Sequence, residues 1–492
     1  MKRYGWTTLT VLMTAIGVSS AQGISVRYDS PMEIIEPVVA AGEDSTMTMA
    51  AVTDSGQLVV WNVDYQGTLI WAETLSTTMG PIFQPVDIIA TGDSGYVVSA
   101  NIPSVGGVIL SRFDRNGNLI NALTFQSDST ISVSSIRIIN DNLIAAGFYN
   151  IYPRKGFSMV VDSLGNVISS MKFVSGVPTA EIEFLDVNVG LQGEIVFTGR
   201  HEQKPLFIGT DNSLSSILYD HIYAGYNYIS AGRALTPDYY NRHYLIAGSM
   251  LIGSNTYGAV FITDSIGNLR STITYETMED NEFRDIIKHP NGNFYVITGM
   301  AKEADPTGDA ISLMIDDAGG VVDAMLLGDS GKYDYGTRLV VGHDYRVWTS
   351  GQTIETGVAD HKALLSSFFT PSVMQCAFSF NPITGFPNLV DTSYNVSMAP
   401  VSITINPLTL SSGGVSLNMS PVCTVGSSEK SERCNPPFII RNSFVHFDRG
   451  VKWEIYDLNG RNLGNGKGGS RELKSGTYLI RTGAGVFKTI VH

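Results

Sequence analysis

The sequence predicts an all-β chain, a seven-bladed β-propeller followed by a small β-sandwich-like C-terminal domain. Three observations carry this. A strand–turn–strand unit recurs about every 50 residues through the first three quarters of the chain. The 50 glycines, among abundant Ser and Thr, suit many tight turns. No long stretch shows helical apolar spacing. At 43% hydrophobic and 16% charged, the 492 residues hold enough apolar material for a large core.

The first 21 residues read as a signal peptide. Lys2 and Arg3 precede an apolar run to Val18, and Ser19-Ser20-Ala21 supplies small residues before a cut. The run is too short to span a bilayer comfortably, and no later segment reaches 18 apolar residues. The expected location is therefore outside the cytoplasm, with no transmembrane segment in the mature chain.

Residues 22–380 hold the repeats. The copies include "VVWNVDYQGTLIWAETL", "VILSRFDRNGNLINALTF", "SMVVDSLGNVISSMKF" and "AVFITDSIGNLRSTITY". Their turn glycines are Gly67, Gly117, Gly165, Gly267 and Gly319, and Leu214 takes that place in the fourth copy. Glycine supplies the positive φ that a tight hairpin needs. Asp64, Asp114, Asp162, Asp211, Asp264 and Asp316 sit where a carboxylate can accept the turn's N–H groups. A second strand pair precedes each hairpin, giving four strands per repeat, the content of a propeller blade. Blades are expected near 33–76, 86–126, 134–174, 183–223, 231–276, 283–328 and 336–380. Six or eight blades stay open, because the end copies are degraded and "HKALLSSFF" has no Asp–Gly turn. The hairpins resemble those of a large, loosely defined group of bacterial secreted propellers.

Residues 381–437 read as a β-hairpin segment and a linker. Val401, Ile403 and Ile405 alternate on one side of Gly413-Gly414, and Val415, Leu417 and Met419 on the other. "TVGSSEKSERCNPP" then reads as a linker. Cys376, Cys423 and Cys434 all lie in the last quarter, and sequence alone does not choose a disulfide pair among them.

Residues 438–492 differ in charge. They hold nine Lys/Arg against four Asp/Glu, a net of +5, which leaves −19 for the rest of a chain whose total is −14. "EIYDLNGR", then "LKSGTYLI" and a terminal "KTIVH", closely resemble the type A C-terminal sorting domain of the type IX secretion system of Bacteroidetes-like bacteria. The matching positions are Tyr456, Asp457, Gly460, Arg461, Leu473, Gly476, Tyr478 and Lys488. The resemblance implies passage through the periplasm and recognition by the type IX machinery. Release or attachment at the outer surface would follow, and such tails are commonly removed at the linker.

The acidic balance excludes a nucleic-acid partner, which would need a basic surface. There is no nucleophile elbow, phosphate loop or metal-binding histidine pair. The histidines, mostly near loops, read as solvated loop or strand-edge residues, not as ligands or bases. "DRNGN" at 114–118 resembles the start of a calcium loop, but Phe125 stands where the closing Glu belongs, so no cofactor is expected beyond a weak possibility of Ca2+. Glu276, Glu279, Asp280, Glu282 and Asp285 could supply a carboxylate pair to a polysaccharide hydrolase or lyase, or form a solvated loop. Tyr226, Tyr228, Tyr239 and Tyr240 are candidate ligand contacts, since aromatic faces stack on sugars or proteins. Nothing here demands catalysis. The expected function is a binding, adhesion or scaffold module for an extracellular glycan or protein, with an enzyme or a structural surface-layer component as alternatives.

Overall fold

The computed structural model describes residues 24–492 except 43, 226–228, 278–279, 290–291, 303–307, 329–331, 356–359, 369–376, 380–381, 393–394, 422–437, 442–443, 458–461, 475, 483–484 and 492. Seven antiparallel blades make up a β-propeller. Blades 1 to 6 span 34–77, 83–126, 131–174, 182–224, 229–276 and 281–327. Each blade lies between two others, so its inner strands are buried on both faces. Met47–Thr53, the second strand of blade 1, is buried at all seven positions. Apolar clusters fill the blade interfaces. Between blades 3 and 4, Phe173 meets Phe184 and Phe197 at 4.8 and 5.5 Å.

Blade 7 explains the missing Asp–Gly turn. Lys332–Val341, Val347–Glu355 and His361–Phe368 supply three strands, and the fourth, Ser25–Asp29, comes from the other end of the chain. Val26 pairs with Leu365 and Tyr28 with Ala363, which closes the ring. "SVRYD" is a fourth strand like "TITYE" at 272–276. In both, the tyrosine hydroxyl donates to the carbonyl of the next blade's turn glycine, Tyr28 to Gly67 at 2.6 Å and Tyr275 to Gly319 at 2.7 Å.

In the turns, Asp64 Oδ1 accepts from the N–H groups of Gln66 and Thr68, each at 2.8 Å. Asp114, Asp162, Asp211, Asp264 and Asp316 bind the residues two and four positions on in the same way. Leu214 takes the glycine's left-handed backbone, φ 57°, while its side chain is buried between blades 3 and 4. That backbone costs roughly 1–2 kcal/mol for a branched residue, and losing a buried leucine costs about 2–5 kcal/mol. Leu214→Gly is therefore expected to destabilise by about 2 kcal/mol in denaturant titration, although glycine suits the turn. An unchanged or raised midpoint would show that burial does not hold the strained residue in place.

The segment after blade 7 is neither a hairpin nor a linker up to residue 421. It runs back around the ring as a belt and adds a short fifth strand to every blade. Ala377–Ser379 pairs with blade 6, Ile383–Gly385 with blade 5, Val390–Thr392 with blade 4 and Ser397–Pro400 with blade 3. Thr404–Pro407 then pairs with blade 2, Leu410–Gly414 with blade 1 and Asn418–Pro421 with Ser25–Asp29 of blade 7. The expected hairpin fails because Ile405 and Val415 serve different blades. The governing period is seven residues, the step from one blade edge to the next, as in "SMAPVSI", "TINPLTL" and "SSGGVSL" at 397–417. The last residue of each unit plugs a blade interface. Leu389, Val396, Ile403, Leu410 and Leu417 enter five different clusters. Pro400, Pro407 and Pro421 lie on the belt's strands, where proline blunts an exposed sheet edge.

Phe438–Arg441, Phe444–Asp457, Asn462–Glu472, Gly476–Thr482 and Gly485–Val491 form a further five-stranded sheet. The long strand Phe444–Asp457 pairs with three others, and its register breaks between Phe447 and Lys452. Its own core includes Val445, Trp453, Ile455, Tyr478 and Ile480, with Phe447 and Trp453 stacked at 4.6 Å. Cys376, Cys423 and Cys434 lie outside the described residues.

Candidate functional site

The innermost strand of every blade carries a bulge at the same height. A bulge leaves a residue out of the ladder and turns it aside. In five blades the second strand answers with a glycine, as at Gly199, where an added Cβ would lie 1.9 Å from the Glu183 carbonyl oxygen. The bulged residues Glu36, Val86, Ser134, Leu185, Arg233, Arg284 and Thr337, one from each blade, line one axial pocket of about 220 Å³.

Beside the bulges lies a charged network. The carboxylates of Asp87, Asp186 and Asp285 each accept a backbone N–H from the next blade, from Ile136 at 2.9 Å, Leu235 at 3.0 Å and Leu339 at 2.7 Å. Arg137 bridges Asp87 and Asp186 at 3.3 and 3.1 Å. Arg338 lies 3.2 Å from Asp87, 3.6 Å from Asp285 and 4.0 Å from Asp186. Glu282 pairs with two arginines that line the pocket, Arg233 at 3.1 Å and Arg284 at 2.8 Å. Arg284 also reaches Glu36 at 3.1 Å and lies over the Tyr335 ring at 4.2 Å.

Burial outweighs the attraction of Arg338 at Asp285, and Asp186 adds repulsion, so the Asp285 carboxyl is pushed up to about 6. In the unfolded chain it titrates near 3.9. Between these values the folded form keeps a proton that the unfolded form has lost. Its contribution is therefore full below about pH 4 and lost as pH rises through about 6. Asp285→Asn is expected to remove a fall in stability of a few kcal/mol across that window, read as the difference between wild-type and variant melting curves. Parallel curves would contradict the assignment.

Among its described residues, the acidic run does not form a free carboxylate pair. Glu276 lies on an outer strand beside Ile383, and Asp280 accepts from Thr256 N–H at 2.7 Å. Glu282 and Asp285 are arginine-paired, and Glu279 lies outside the described residues. The Asp114 carboxylate holds its own turn, with Asn118 Nδ2 donating at 2.8 Å. No group of three metal-ligating side chains occurs among the described residues. His201 and His243 lie at strand ends and His289 just beyond one, but all three are buried, not solvated as the sequence suggested.

Tyr239 and Tyr240 sit in the first turn of blade 5, 60% and 80% exposed, and Tyr226 and Tyr228 lie outside the described residues. In an up-and-down blade the first and third turns share one face of the ring. Tyr65 of blade 1 and Tyr345 of blade 7, 51% and 53% exposed, therefore join Tyr239 and Tyr240 there. Sequence reasoning missed these two. The signal was an aromatic residue inside a turn, as in "DYQG" and "HDYR".

In the C-terminal sheet, Leu473 and Tyr478 are buried, and the Tyr478 hydroxyl donates to the Lys474 carbonyl at 2.6 Å. The Tyr456 hydroxyl donates to Glu454 at 2.8 Å. Asp457, Gly476 and Lys488 lie on strands, and Gly460 and Arg461 lie outside the described residues.

No protein-family model matches the chain, and no curated protein matches it. Similar solved structures include Sqt1 from Chaetomium thermophilum, 11% identical, TM-score 0.44, covering 70% of this chain and 98% of that one. A protein of unknown function from Dyadobacter fermentans is 10% identical, TM-score 0.38, covering 70% and 97%. A subtype N10 neuraminidase-like protein of A/little yellow-shouldered bat/Guatemala/060/2010 is 10% identical, TM-score 0.37, covering 70% and 98%. At these scores the likenesses carry no functional argument. No helix among the described residues is long and apolar enough to cross a membrane.

Proposed function

We propose that this chain is a secreted or surface-displayed propeller that binds an extracellular glycan or protein. On this reading it reaches the outer surface through the type IX secretion machinery, which recognises residues 438–492. The exposed tyrosines Tyr65, Tyr239, Tyr240 and Tyr345 on one rigid face carry the binding half of the proposal. Turns held by buried or hydrogen-bonded anchors lose little entropy on binding, and aromatic rings give large contact area. Tyr239 donates its hydroxyl to the Val189 carbonyl at 3.3 Å, which restrains its ring. The pairing of Glu282 with two arginines, which holds its carboxyl below the usual range, favours recognition over general acid–base catalysis.

The export half rests on the motif from Tyr456 to Lys488 and on the module's own core. Two experiments test the proposal. A reporter carrying residues 438–492 behind a signal peptide is expected at the surface or in the medium of a host with type IX secretion. Retention of the reporter in the periplasm contradicts that half. Affinity electrophoresis of the mature chain through host and neighbouring-cell polysaccharides, with pull-down from surface-protein extracts, tests the other half. Tyr239→Ala/Tyr240→Ala is expected to weaken the interaction about tenfold or more. Unchanged retention by the double variant would rule out this face.

A further inference from the structure

The seven blade interfaces are equivalent by construction, so a difference between two of them is informative. Between blades 4 and 5 the gap behind the turns is filled with aromatic rings. Phe207 stacks on Tyr219 at 5.7 Å and meets Tyr244 at 4.9 Å. Both tyrosine hydroxyls donate to Glu194 at 2.7 Å. Strand registers place the counterparts of these rings between blades 2 and 3. Tyr219 opposes Gly209 as Asn121 opposes Arg112, and Tyr244 opposes Thr263 as Leu143 opposes Val161. Leu110 likewise stands where Phe207 stands, four residues before the turn aspartate.

Three rings are thus replaced by Leu110, Asn121 and Leu143, and a cleft of about 500 Å³ opens there. Its size is that of a small-molecule site. Val97, Leu110, Leu123, Leu143 and Val161 give it apolar walls. Water held against such walls is released favourably by an apolar ligand. The mouth is polar and built across both blades. Arg112 pairs with Asp93 at 2.6 Å and donates to the Ser163 carbonyl of the neighbouring turn at 3.3 Å. Its Nε is buried without an acceptor in the protein. Asp141 and Asp162 also line the cleft, so its acids outnumber its single base, Arg112.

We infer that the cleft between blades 2 and 3 binds a small organic cation with an apolar ring and a hydrogen-bond-accepting oxygen. The ring lies on the apolar walls, the oxygen accepts from the part-exposed Arg112 guanidinium, and the cationic group sits at the acidic mouth. This site opens on the same turn face but between blades 2 and 3, whereas the exposed tyrosines stand on blades 1, 5 and 7, so it does not depend on their contacts.

The test uses calorimetry on the mature full-length chain with three probes of one skeleton, 5-methoxytryptamine, 5-methoxyindole and 5-methoxyindole-3-acetate. The ammonium compound is expected to bind with Kd of about 1 mM or tighter. It should exceed both others by about fivefold, a preference that shrinks with added salt. Asp141→Asn, at a left-handed position (φ 64°) that asparagine also accepts, is expected to lose most of that preference. Leu110→Phe/Asn121→Phe refills the gap and is expected to abolish binding. Should that variant not fold, the Asp141→Asn result decides alone. Equal affinity for the three probes, no binding by any, or binding that survives in a folded refilled variant would overturn the assignment. Tighter binding of the neutral or acidic compound would overturn the cationic ligand class.

Discussion

Arg338→Ala is expected to lower stability by about 3–5 kcal/mol, the usual cost of removing one partner from a buried ion network. Three buried carboxylates, Asp87, Asp186 and Asp285, would lose the cation that sits among them. Each of these acids also accepts an N–H from the next blade, so repulsion between them would loosen three blade contacts together. The check is denaturant unfolding followed by Trp fluorescence, with Trp61 and Trp348 fully buried in the ring. The effects of Arg338→Ala and Asp285→Asn should not add, because the second removes one of the charges that the first exposes. Strict additivity would show that the two residues do not share a network.

Removal of the belt is expected to be more damaging still. A chain ending at Phe368 would strip Leu389, Val396, Ile403, Leu410 and Leu417 from five blade interfaces. At roughly 1–3 kcal/mol for each side chain, the loss is of the same order as a domain's whole stability. It would also bare seven sheet edges, which invites edge-to-edge association. The truncated chain is expected to aggregate and to show no cooperative transition. Leu417→Asp, which buries a charge at the interface of blades 7 and 1, is expected to cost several kcal/mol in the intact chain. A truncated chain that melts like the full one would reduce the belt to decoration.

These two features differ in how far the sequence reveals them. The blades were legible because a hairpin turn needs glycine and a capping aspartate at fixed spacing, and six copies keep the aspartate and five of them the glycine. The closing strand Ser25–Asp29 was not, because its partner lies more than 300 residues away and the strand has no turn of its own. The belt misled because its strands alternate with period two, as any strand does, while the informative period of seven is set by the distance between blade edges. The acids of the axis were visible as a charged run, but their pairing with Arg233, Arg284 and Arg338 depends on bulges in three different blades. Exposure of Tyr65 and Tyr345 likewise follows from ring geometry, not from local sequence.

On the function proposed above, the belted ring is the cargo and residues 438–492 would be its address. The ring is complete only at Pro421, where the belt's last strand pairs with Ser25–Asp29. The most direct measurement is mass spectrometry of both termini of the protein recovered from outside its native cells. The expected chain begins at Gln22 and ends between Pro421 and Phe438, with the belt intact. A cell-retained protein that keeps His492, or an extracellular one cut within 377–421, would contradict it.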